Sequence, residues 1–529
     1  MDLRANPRLI PAMAVLAVAP WSAAPGDAAT PPPPRNEARV AVSTTDPTTA
    51  YDPMIFGGFI EHFGRQVYGG FFEPGSPLAD EAGFRLDVIE AIRALKVPVV
   101  RWPGGCFVDS YHWRLGVGPV RQAYDDDRWG VREPNTFGTH EFIELCRRLG
   151  AEPYICQNSL ADVEEMADWV AYCNDTEGPL AELRGAHGHP DPFDVAFWSV
   201  GNEKAGKGYV DKVRETAVAM KRVDPDIQVA CSGAHGPSAY VDPYLFEAAG
   251  PHLDLLSIHE YWVPNFQEHR TPDYLACMML CGKPDAHLAA VVESLRASGT
   301  RGRIRIAFDE WNLRSWHHPG FTGHHPREVD HRDPEIAELV AARDRSLDPS
   351  LYTMADALFC ASFLNACLRH AEDVAMANIA CLVNQTGPLH VHPGGIVRRT
   401  HYHALAMYAN LLESRVAGVT IESDRLVHGD SSVAVVDAVA TVDGTGDRWA
   451  VALMNRHPSE PVRCTLVMGD APVEGTFEAT ILAGDSPDAY NDVADPDRVA
   501  PRRVEVTAER GVVELPPHSL LVLDLPTNE

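Results

Sequence analysis

The sequence predicts an α/β fold, a (β/α)8 TIM barrel, followed by a C-terminal antiparallel β-sandwich domain. First, eight apolar strand-like runs alternate with amphipathic helical patterns through the middle of the chain, and eight strand-helix units close a barrel. Second, these runs are continuously apolar, which is typical of parallel strands that are buried on both faces. Third, from about Leu411 the pattern changes to short alternating strands between turn residues, as in a sandwich.

The predicted barrel occupies residues 55-410. Its strands are expected at 55–62, 97–103, 152–158, 195–203, 227–232, 255–261, 304–310 and 379–384. The helices between them are expected at 85–95, 138–149, 163–172, 209–223, 286–297 and 354–370. One connection, 313–350, is long, polar and rich in histidine, and connections of this length are usually functional or disordered.

The predicted β-sandwich domain occupies residues 411-529. Its strands are expected at 418–421, 433–440, 449–454, 462–467, 476–482, 504–507 and 519–525. A further strand at 38–43, within the segment 38-54, is predicted to join the edge of this sandwich.

Residues 1-37 resemble a signal peptide followed by a proline-rich linker. Two arginines precede an apolar stretch at 9–24, and small residues and four prolines follow it. Two prolines interrupt that stretch, and an upstream start codon that the cell does not use would look similar, so cleavage stays open. The eleven cysteines lie mostly in apolar patterns, which is typical of buried thiols in a reducing compartment. Together these signals favour the cytoplasm slightly over export.

Composition excludes several classes of partner. The net charge of −29 argues against nucleic acid, whose phosphates need a basic surface. Apart from the N-terminal stretch, no segment has the roughly 18 uninterrupted apolar residues of a membrane span. A hydrophobic share of 45% is that of a globular protein.

Two acidic peptides indicate the chemistry. The runs WSVGNE and AFDEWN each carry a glutamate after an apolar strand, Glu203 and Glu310, 107 residues or about three strand-helix units of roughly 35 residues apart. A buried glutamate is costly unless it is used or paired. Barrel sites lie where the strands end, and the fourth and seventh strands are nearly opposite. The two glutamates are therefore predicted to form the carboxylate pair that hydrolyses a glycosidic bond.

Other polar residues at the strand ends would suit a sugar pocket, with tryptophans offering flat apolar faces. Glu61 has an alternative as an ion-pair partner of Arg65 or Arg101, and His259 has one as a hydrogen-bonded core residue. The predicted substrate-binding residues are Glu61, Cys106, Asn202, His259, Tyr261 and Trp311, with Trp102 and Trp262 as further flat faces.

No metal and no cofactor are predicted. The histidines of the long connection do not have the HExxH spacing and have no cysteine partner, so a solvated loop facing the substrate is favoured. These histidines are His317, His318, His324, His325 and His331.

At this point the chain resembles the family 51 α-L-arabinofuranosidases, which are retaining clan-A glycoside hydrolases. The resemblance covers most of the chain after about residue 38. Its motifs are FGGFIEHFG at 56–64, RWPGGCF at 101–107, YHW at 111–113, GTHEF at 138–142, GNE at 201–203, SIHEY at 257–261, DEWN at 309–312, MANIA at 376–380 and a late Asn491 with Pro496 and Asp497.

The resemblance implies roles residue by residue. Glu203 resembles the acid/base and Glu310 the nucleophile, while Asn202 would hold the 2-hydroxyl of the sugar. Glu61, Cys106 and Tyr261 resemble residues that grip the furanose. The acid/base role requires a raised pKa at Glu203, expected from burial and the nearby Glu310 charge. The resemblance implies no cofactor, and it implies a homo-oligomer, because family members commonly form hexamers.

The sequence departs from the resemblance at the rim of the pocket. Lys204-Ala205-Gly206 stands where many relatives have aromatic residues, and Leu313-Arg314-Ser315-Trp316 stands in place of an aromatic pair. Cys381 stands where a glutamine is common. These changes affect the expected substrate more than the expected reaction.

The predicted function is a retaining exo-glycosidase that removes terminal α-L-arabinofuranosyl units from arabinose-containing oligosaccharides or polysaccharides such as arabinan and arabinoxylan. One alternative is a glycosidase of the same fold that acts on another furanoside, a β-xyloside or a β-glucan. Two others are a non-catalytic sugar-binding barrel and a metal-dependent hydrolase using the histidine-rich connection.

Overall fold

The structure, a computed structural model, describes residues 36–126, 128–263, 273–315 and 348–526. Outside the described residues lie positions 1–35 of the predicted signal peptide and linker and positions 316–347 of the histidine-rich connection, which include Trp316.

Eight parallel strands form a closed barrel, and the eighth pairs with the first at Asn378 and Gly57. The predicted TIM barrel is therefore confirmed. In chain order the strands are Gly57–Phe59, Val99–Trp102, Glu152–Gln157, Phe197–Val200, Gln228–His235, Leu255–Val263, Arg305–Arg314 and Val374–Ala380.

Helices follow the strands and cover the barrel. The helix Met354–Arg369 is buried almost all round, because it packs between a neighbouring barrel helix and the C-terminal strands. Thr353 and Asp356 form the capping box at its start. The helices are Leu86–Ala94, Thr139–Leu149, Val163–Asn174, Pro179–Ala186, Lys207–Val223, Pro243–Ala248, Tyr274–Met278, Lys283–Ala297, Met354–Arg369 and Thr400–Leu411.

One helical stretch, Tyr274–Ala297, is long and apolar enough by composition to span a membrane. Leu288, Val291 and Leu295 of this stretch are buried in the hydrophobic core. A core helix of a globular domain has the same composition, so this stretch is weak evidence for a membrane.

The eighth barrel strand begins five residues before its predicted position. It spans Val374–Ala380, whereas residues 379–384 were predicted. The apolar run continues beyond the strand because Leu382 and Val383 are fully buried in the turn that follows, where the Leu382 amide donates to Phe59. Asn384 then has a φ of 55°, which is turn backbone.

Most of the C-terminal strands lie in two sheets, and Arg425–His428 and Ser431–Ala434 form a separate two-stranded hairpin. The larger sheet is entirely antiparallel, as predicted, with the order Thr49–Ala50, Arg415–Ala417, Val436–Val442, Arg448–Asn455, Ser519–Pro526, Gly475–Ala483 and Arg502–Ala508. The smaller sheet has the order Val419–Ser423, Glu37–Val42, Val462–Met468 and Ala471–Pro472, with Val512–Leu515 also paired to Val462–Met468.

The strand Glu37–Val42 lies inside the smaller sheet and not at its edge. It pairs antiparallel with Val419–Ser423 and parallel with Val462–Met468. Its alternation predicts one buried face, and Ala38, Val40 and Val42 are indeed buried. The predicted edge position was wrong because alternation reports which face is buried and carries no information on how many neighbours a strand has.

Candidate active site

Glu310 lies on the seventh strand with a side chain that is 3% exposed. Arg101 Nη1 donates to its Oε1 at 2.6 Å, and the Tyr261 hydroxyl donates to its Oε2 at 2.7 Å. The two donors come from the second and sixth strands. Glu310 is therefore held in one orientation by groups on two other strands.

The preceding residue, Asp309, also faces the barrel interior. Successive residues of a regular strand face opposite sides, but the pairing to the eighth strand is irregular between Phe308 and Trp311. Tyr154 and Ser257 donate to Asp309 at 2.8 and 2.6 Å. Two consecutive carboxylates therefore contribute to one network.

Arg101 is fully buried and joins these groups. Besides Glu310 it contacts Asp309 at 3.3 Å and donates to Asn202 Oδ1 at 2.8 Å. Burial lowers the pKa of Arg101, but the neighbouring Cys156, Asp309 and Glu310 raise it well above the usual value. The guanidinium is thus a permanent cation at the bottom of the site.

Glu203 lies in the turn after the fourth strand. Its φ of 47° and the φ of 75° at Gly201 are left-handed, and these conformations turn the chain so that the carboxylate points toward His259. The side chain is 32% exposed, so Glu203 faces the mouth of the site while Glu310 is enclosed. Oxygen atoms of Glu203 and Glu310 and a ring nitrogen of His259 lie within 4.8 Å of one another.

His259 bridges the carboxylates. Its Nδ1 lies 3.0 Å from Glu203 Oε1 and its Nε2 lies 3.2 Å from Asp309 Oδ1. Burial lowers the pKa of His259, but Glu310, Asp309 and Glu203 outweigh burial and raise the pKa to about 10. The ring is therefore an imidazolium at neutral pH.

The charge of His259 contradicts the raised pKa expected for Glu203. Burial raises the pKa of Glu203, but the hydrogen bond and charge of His259 lower it to about 2. In the unliganded site the shared proton resides on His259. The sequence does not show that an imidazolium stands between the two glutamates.

Glu61 is fully buried beside the same space. Its Oε1 accepts hydrogen bonds from the Phe107 amide and the Trp129 indole, both at 2.8 Å. Burial, and then the charge of Glu310, raise the pKa of Glu61 well above its usual value. A Cβ on Gly105 would lie 3.1 Å from Glu310 Oε1 and 3.2 Å from Glu61 Oε2. Gly105 therefore leaves room in front of both carboxyl groups.

The structure brings most of the predicted site residues together. Cys106 is half-buried, and its sulfur lies 3.9 Å from Asn202 Nδ2. The residues that meet at this end of the barrel are Glu61, Cys106, Asn202, Glu203, His259, Tyr261 and Glu310.

Trp311 is not among them. Its ring stacks on Phe363 with centroids 3.7 Å apart, and the residue is 1% exposed between the barrel and the helix Met354–Arg369. Trp102 is fully buried, and Trp262 packs against Phe308. The prediction that these rings offer faces to a sugar was wrong, because apolar strand residues also pack outward against helices.

Sequence reasoning missed three supporting residues and misassigned a fourth. Tyr154, Ser257 and Asp309 were not singled out, although Asp309 directly precedes Glu310. Arg101 was considered as a partner for Glu61, but the structure pairs it with Glu310. The signal available for Arg101 and Asp309 was a charged residue inside an otherwise apolar strand. Tyr154 and Ser257 had no comparable signal.

Among the described residues, one set of side chains has the spacing of a metal site, and it is Glu203, His259 and Glu310. An imidazolium has no lone pair to offer a metal ion. Arg101 also occupies Glu310 Oε1. Both ring nitrogens of His259 and one oxygen of Glu310 are already engaged, so the contacts of this set are those of a proton-sharing network.

Comparison with known proteins identifies this arrangement. The family model described as alpha-L-arabinofuranosidase 1 domain matches residues 91–276, and the model of the alpha-L-arabinofuranosidase C-terminal domain matches residues 309–519. Alpha-L-arabinofuranosidase C of Emericella nidulans is 32% identical over 83% of this chain and 88% of its own length. The chain belongs to the family 51 α-L-arabinofuranosidases. It is a glycoside hydrolase.

Two further arabinofuranosidases are similar to this chain. The intracellular exo-alpha-(1->5)-L-arabinofuranosidase of Streptomyces lividans is 32% identical over 89% of this chain and 73% of its own length. The crystal structure of the α-L-arabinofuranosidase of Thermotoga maritima in complex with arabinose superposes with a TM-score of 0.79 at 29% identity, covering 93% of this chain and 100% of that one.

Several residues that depart from the family 51 pattern are either buried or paired with a carboxylate in this arabinofuranosidase. Lys204 pairs with Asp109 at 2.5 Å. Cys381 is fully buried; burial raises the pKa of its thiol, and so do the charges of Glu61 and Glu310. Leu313 is buried, and Arg314 pairs with Asp356.

Proposed function

We propose that the protein is a retaining exo-glycosidase that removes terminal, non-reducing α-L-arabinofuranosyl units. The observation that carries the mechanism is the approach of Glu203 and Glu310, whose oxygens lie within 4.8 Å. Retaining enzymes hold their carboxyl groups about 5–5.5 Å apart, whereas inverting enzymes need about 6.5–9.5 Å to admit a water.

Glu310 is proposed as the nucleophile. Its carboxylate forms a bond to the anomeric carbon while the bond from that carbon to the leaving oxygen breaks. Arg101 and Tyr261 hold it at 2.6 and 2.7 Å, which orients it before the sugar arrives.

Glu203 is proposed as the acid/base, because its partly exposed carboxyl can reach the leaving oxygen at the mouth. A bound sugar covers this carboxyl and removes water from it, which raises its pKa from the low value in the free enzyme. Glu203 then takes the proton that it shares with His259 and passes it to the leaving oxygen. In the second step Glu203 takes a proton from water, which attacks the anomeric carbon and releases Glu310.

The sugar is proposed to be held by groups around these carboxyls. Asn202, whose Oδ1 is held by Arg101, faces the 2-hydroxyl, and Glu61, Cys106 and Tyr261 contact the rest of the furanose. His259 positions Glu203. The exo action on arabinose-containing oligosaccharides or polysaccharides is supported by the name of the Streptomyces lividans relative.

The test uses an aryl α-L-arabinofuranoside with Glu203→Gln and Glu310→Gln. Both variants are expected to lose at least about a thousandfold in kcat. Glu152→Gln, at the opposite end of the third strand, is the control and should keep its activity. Added azide is expected to restore turnover of Glu203→Ala with a glycosyl azide of the substrate's configuration, whereas a glycosyl azide from Glu310→Ala should have the opposite configuration. Near-normal turnover by either glutamine variant, or inversion at the anomeric carbon, would refute the mechanism.

A homo-oligomer, as in the hexamers of the family, is also proposed. Light scattering coupled to gel filtration tests it, and a monomer at assay concentration would contradict it.

A further inference from the structure

We propose that the mouth of the pocket beside Glu203 binds a carboxylate of the leaving saccharide, and that Lys204 selects it. The ligand class is therefore an arabinosylated saccharide that contains a uronic acid. This inference rests on the proposed function, because the role of Glu203 as proton donor determines where the leaving saccharide lies.

The exposure of the two catalytic carboxyls indicates the side on which the leaving group lies. Glu310 is 3% exposed and Glu203 is 32% exposed, so the pocket opens at Glu203. The acid must touch the oxygen that joins the two sugars. The leaving saccharide then lies over the segments that follow the third, fourth and fifth strands, which are neighbours in the barrel.

Lys204, the residue after Glu203, belongs to a cluster with an excess positive charge. Its Nζ lies 2.5 Å from Asp109 Oδ2, and Arg128 Nη2 lies 3.0 Å from the same oxygen. Neither cation has another acidic partner in the part of the chain that the structure describes. Two cations on one carboxylate leave a net charge of about +1.

This excess is on Lys204, which faces solvent more than its neighbours. The side chains of Asp109 and Arg128 are 1% and 10% exposed, and that of Lys204 is 25% exposed. The cluster around Arg85 has the opposite balance, because this one cation contacts two carboxylates, Glu73 and Asp87. In a chain with a net charge of −29, a cationic surplus at the mouth is a local exception.

An anionic ligand can bind beside the catalytic centre only if a nearby cation offsets the net negative charge of that centre. Glu203, Asp309 and Glu310 carry three negative charges against the two positive charges of Arg101 and His259. A carboxylate near this centre is repelled unless a cation lies on its side of the mouth. Lys204 lies on that side.

Apolar side chains are exposed on the segments that follow the third and fifth strands, the barrel neighbours of the fourth strand. Leu160, after the third strand, is 57% exposed, and Tyr240, after the fifth strand, is 68% exposed. A pyranose ring presents an apolar face that stacks on such side chains. A uronic acid combines this face with a carboxylate, so it matches the cation and the apolar surfaces together.

The experiment compares two aryl α-L-arabinofuranosides that differ only in the leaving group, 3-carboxyphenyl and 3-carbamoylphenyl. The readout is the ratio of their kcat/KM values, so a general loss of activity cancels. Lys204→Gln is expected to lower this ratio, carboxylate over amide, by about fivefold, the effect of one exposed ion pair. Lys204→Arg keeps the charge and should keep the ratio. Lys207→Gln removes a nearby lysine that pairs with Asp211 and is the matched control.

An unchanged ratio in Lys204→Gln, or an equal fall in Lys207→Gln, would overturn the proposal and leave the proposed function intact. If the wild-type enzyme hydrolyses neither compound, the proposed function fails as well, so the two failures are distinguishable. With natural substrates, the ratio of kcat/KM values is measured for an arabinosylated oligosaccharide that contains a uronic acid and for its neutral methyl ester.

Discussion

Replacing Arg101 with methionine tests the network at the bottom of the site. The substitution keeps an unbranched apolar side chain but removes the cation that lies 2.6 Å from Glu310 and 3.3 Å from Asp309. These carboxylates are then left with His259 as their remaining cation. Breaking a buried ion pair from one side costs about 3–5 kcal/mol. Because Glu310 also loses its orientation, kcat/KM should fall by about 100-fold or more.

The measurements are the urea midpoint and the kcat/KM on an aryl α-L-arabinofuranoside for the folded fraction. Arg456→Met is the matched control, because Arg456 is also buried and pairs with Asp437 at 2.6 Å, away from the barrel mouth. It should lose a similar free energy of unfolding and keep its kcat/KM. If Arg101→Met retains kcat/KM within about tenfold of the wild type, the assignment of Arg101 as the group that orients Glu310 is incorrect.

Four further predictions concern other parts of the molecule. Gly105→Ala should raise KM, because its Cβ would lie 3.1 Å from Glu310 Oε1, whereas Gly208→Ala, with open space around it, should not. Trp311→Phe should lower the free energy of unfolding, measured by urea titration, by about 1–3 kcal/mol and leave KM unchanged. A raised KM would show that Trp311 contacts the substrate. Burial, and then nearby cations, lower the pKa of His140 to about 3, so the ring stays neutral in the fold. The unfolded chain binds its proton below about pH 6.5, so stability falls as the pH drops below that value, and His140→Gln should reduce the difference in urea midpoint between about pH 7.5 and about pH 5. A chelator should leave activity unchanged; a loss that added metal reverses would contradict the imidazolium state of His259.

The sequence predicted a barrel element correctly where its apolar run begins and ends with the element. The helix Met354–Arg369 was expected at 354–370 from its helical pattern between two apolar strand runs, and it ends one residue earlier. The eighth strand was displaced because Leu382 and Val383 continue the apolar run into a buried turn. Hydrophobicity reports burial, and burial here does not end where the strand ends.

The sequence predicted the two carboxyl groups proposed to react, but it did not predict all of the residues that surround them or their effect on pKa values. Glu203 and Glu310 stand out because a glutamate after a buried strand is expensive. The inward position of Asp309 depends on a local irregularity of pairing, and the low pKa of Glu203 depends on where His259 lies. Each of these properties depends on how two strands lie relative to each other, which the sequence of a single strand does not contain.

The strand Glu37–Val42 has a consequence for how the chain is assembled. It is made before the barrel, yet both of its partners, Val419–Ser423 and Val462–Met468, are made only after the whole barrel. During synthesis this strand has two open hydrogen-bonding edges for several hundred residues, a state that favours aggregation. A C-terminal fragment that lacks it would likewise leave two exposed edges in the middle of a sheet. The barrel is thus inserted between the pieces of one sheet, and the C-terminal domain cannot be exchanged as an independent module.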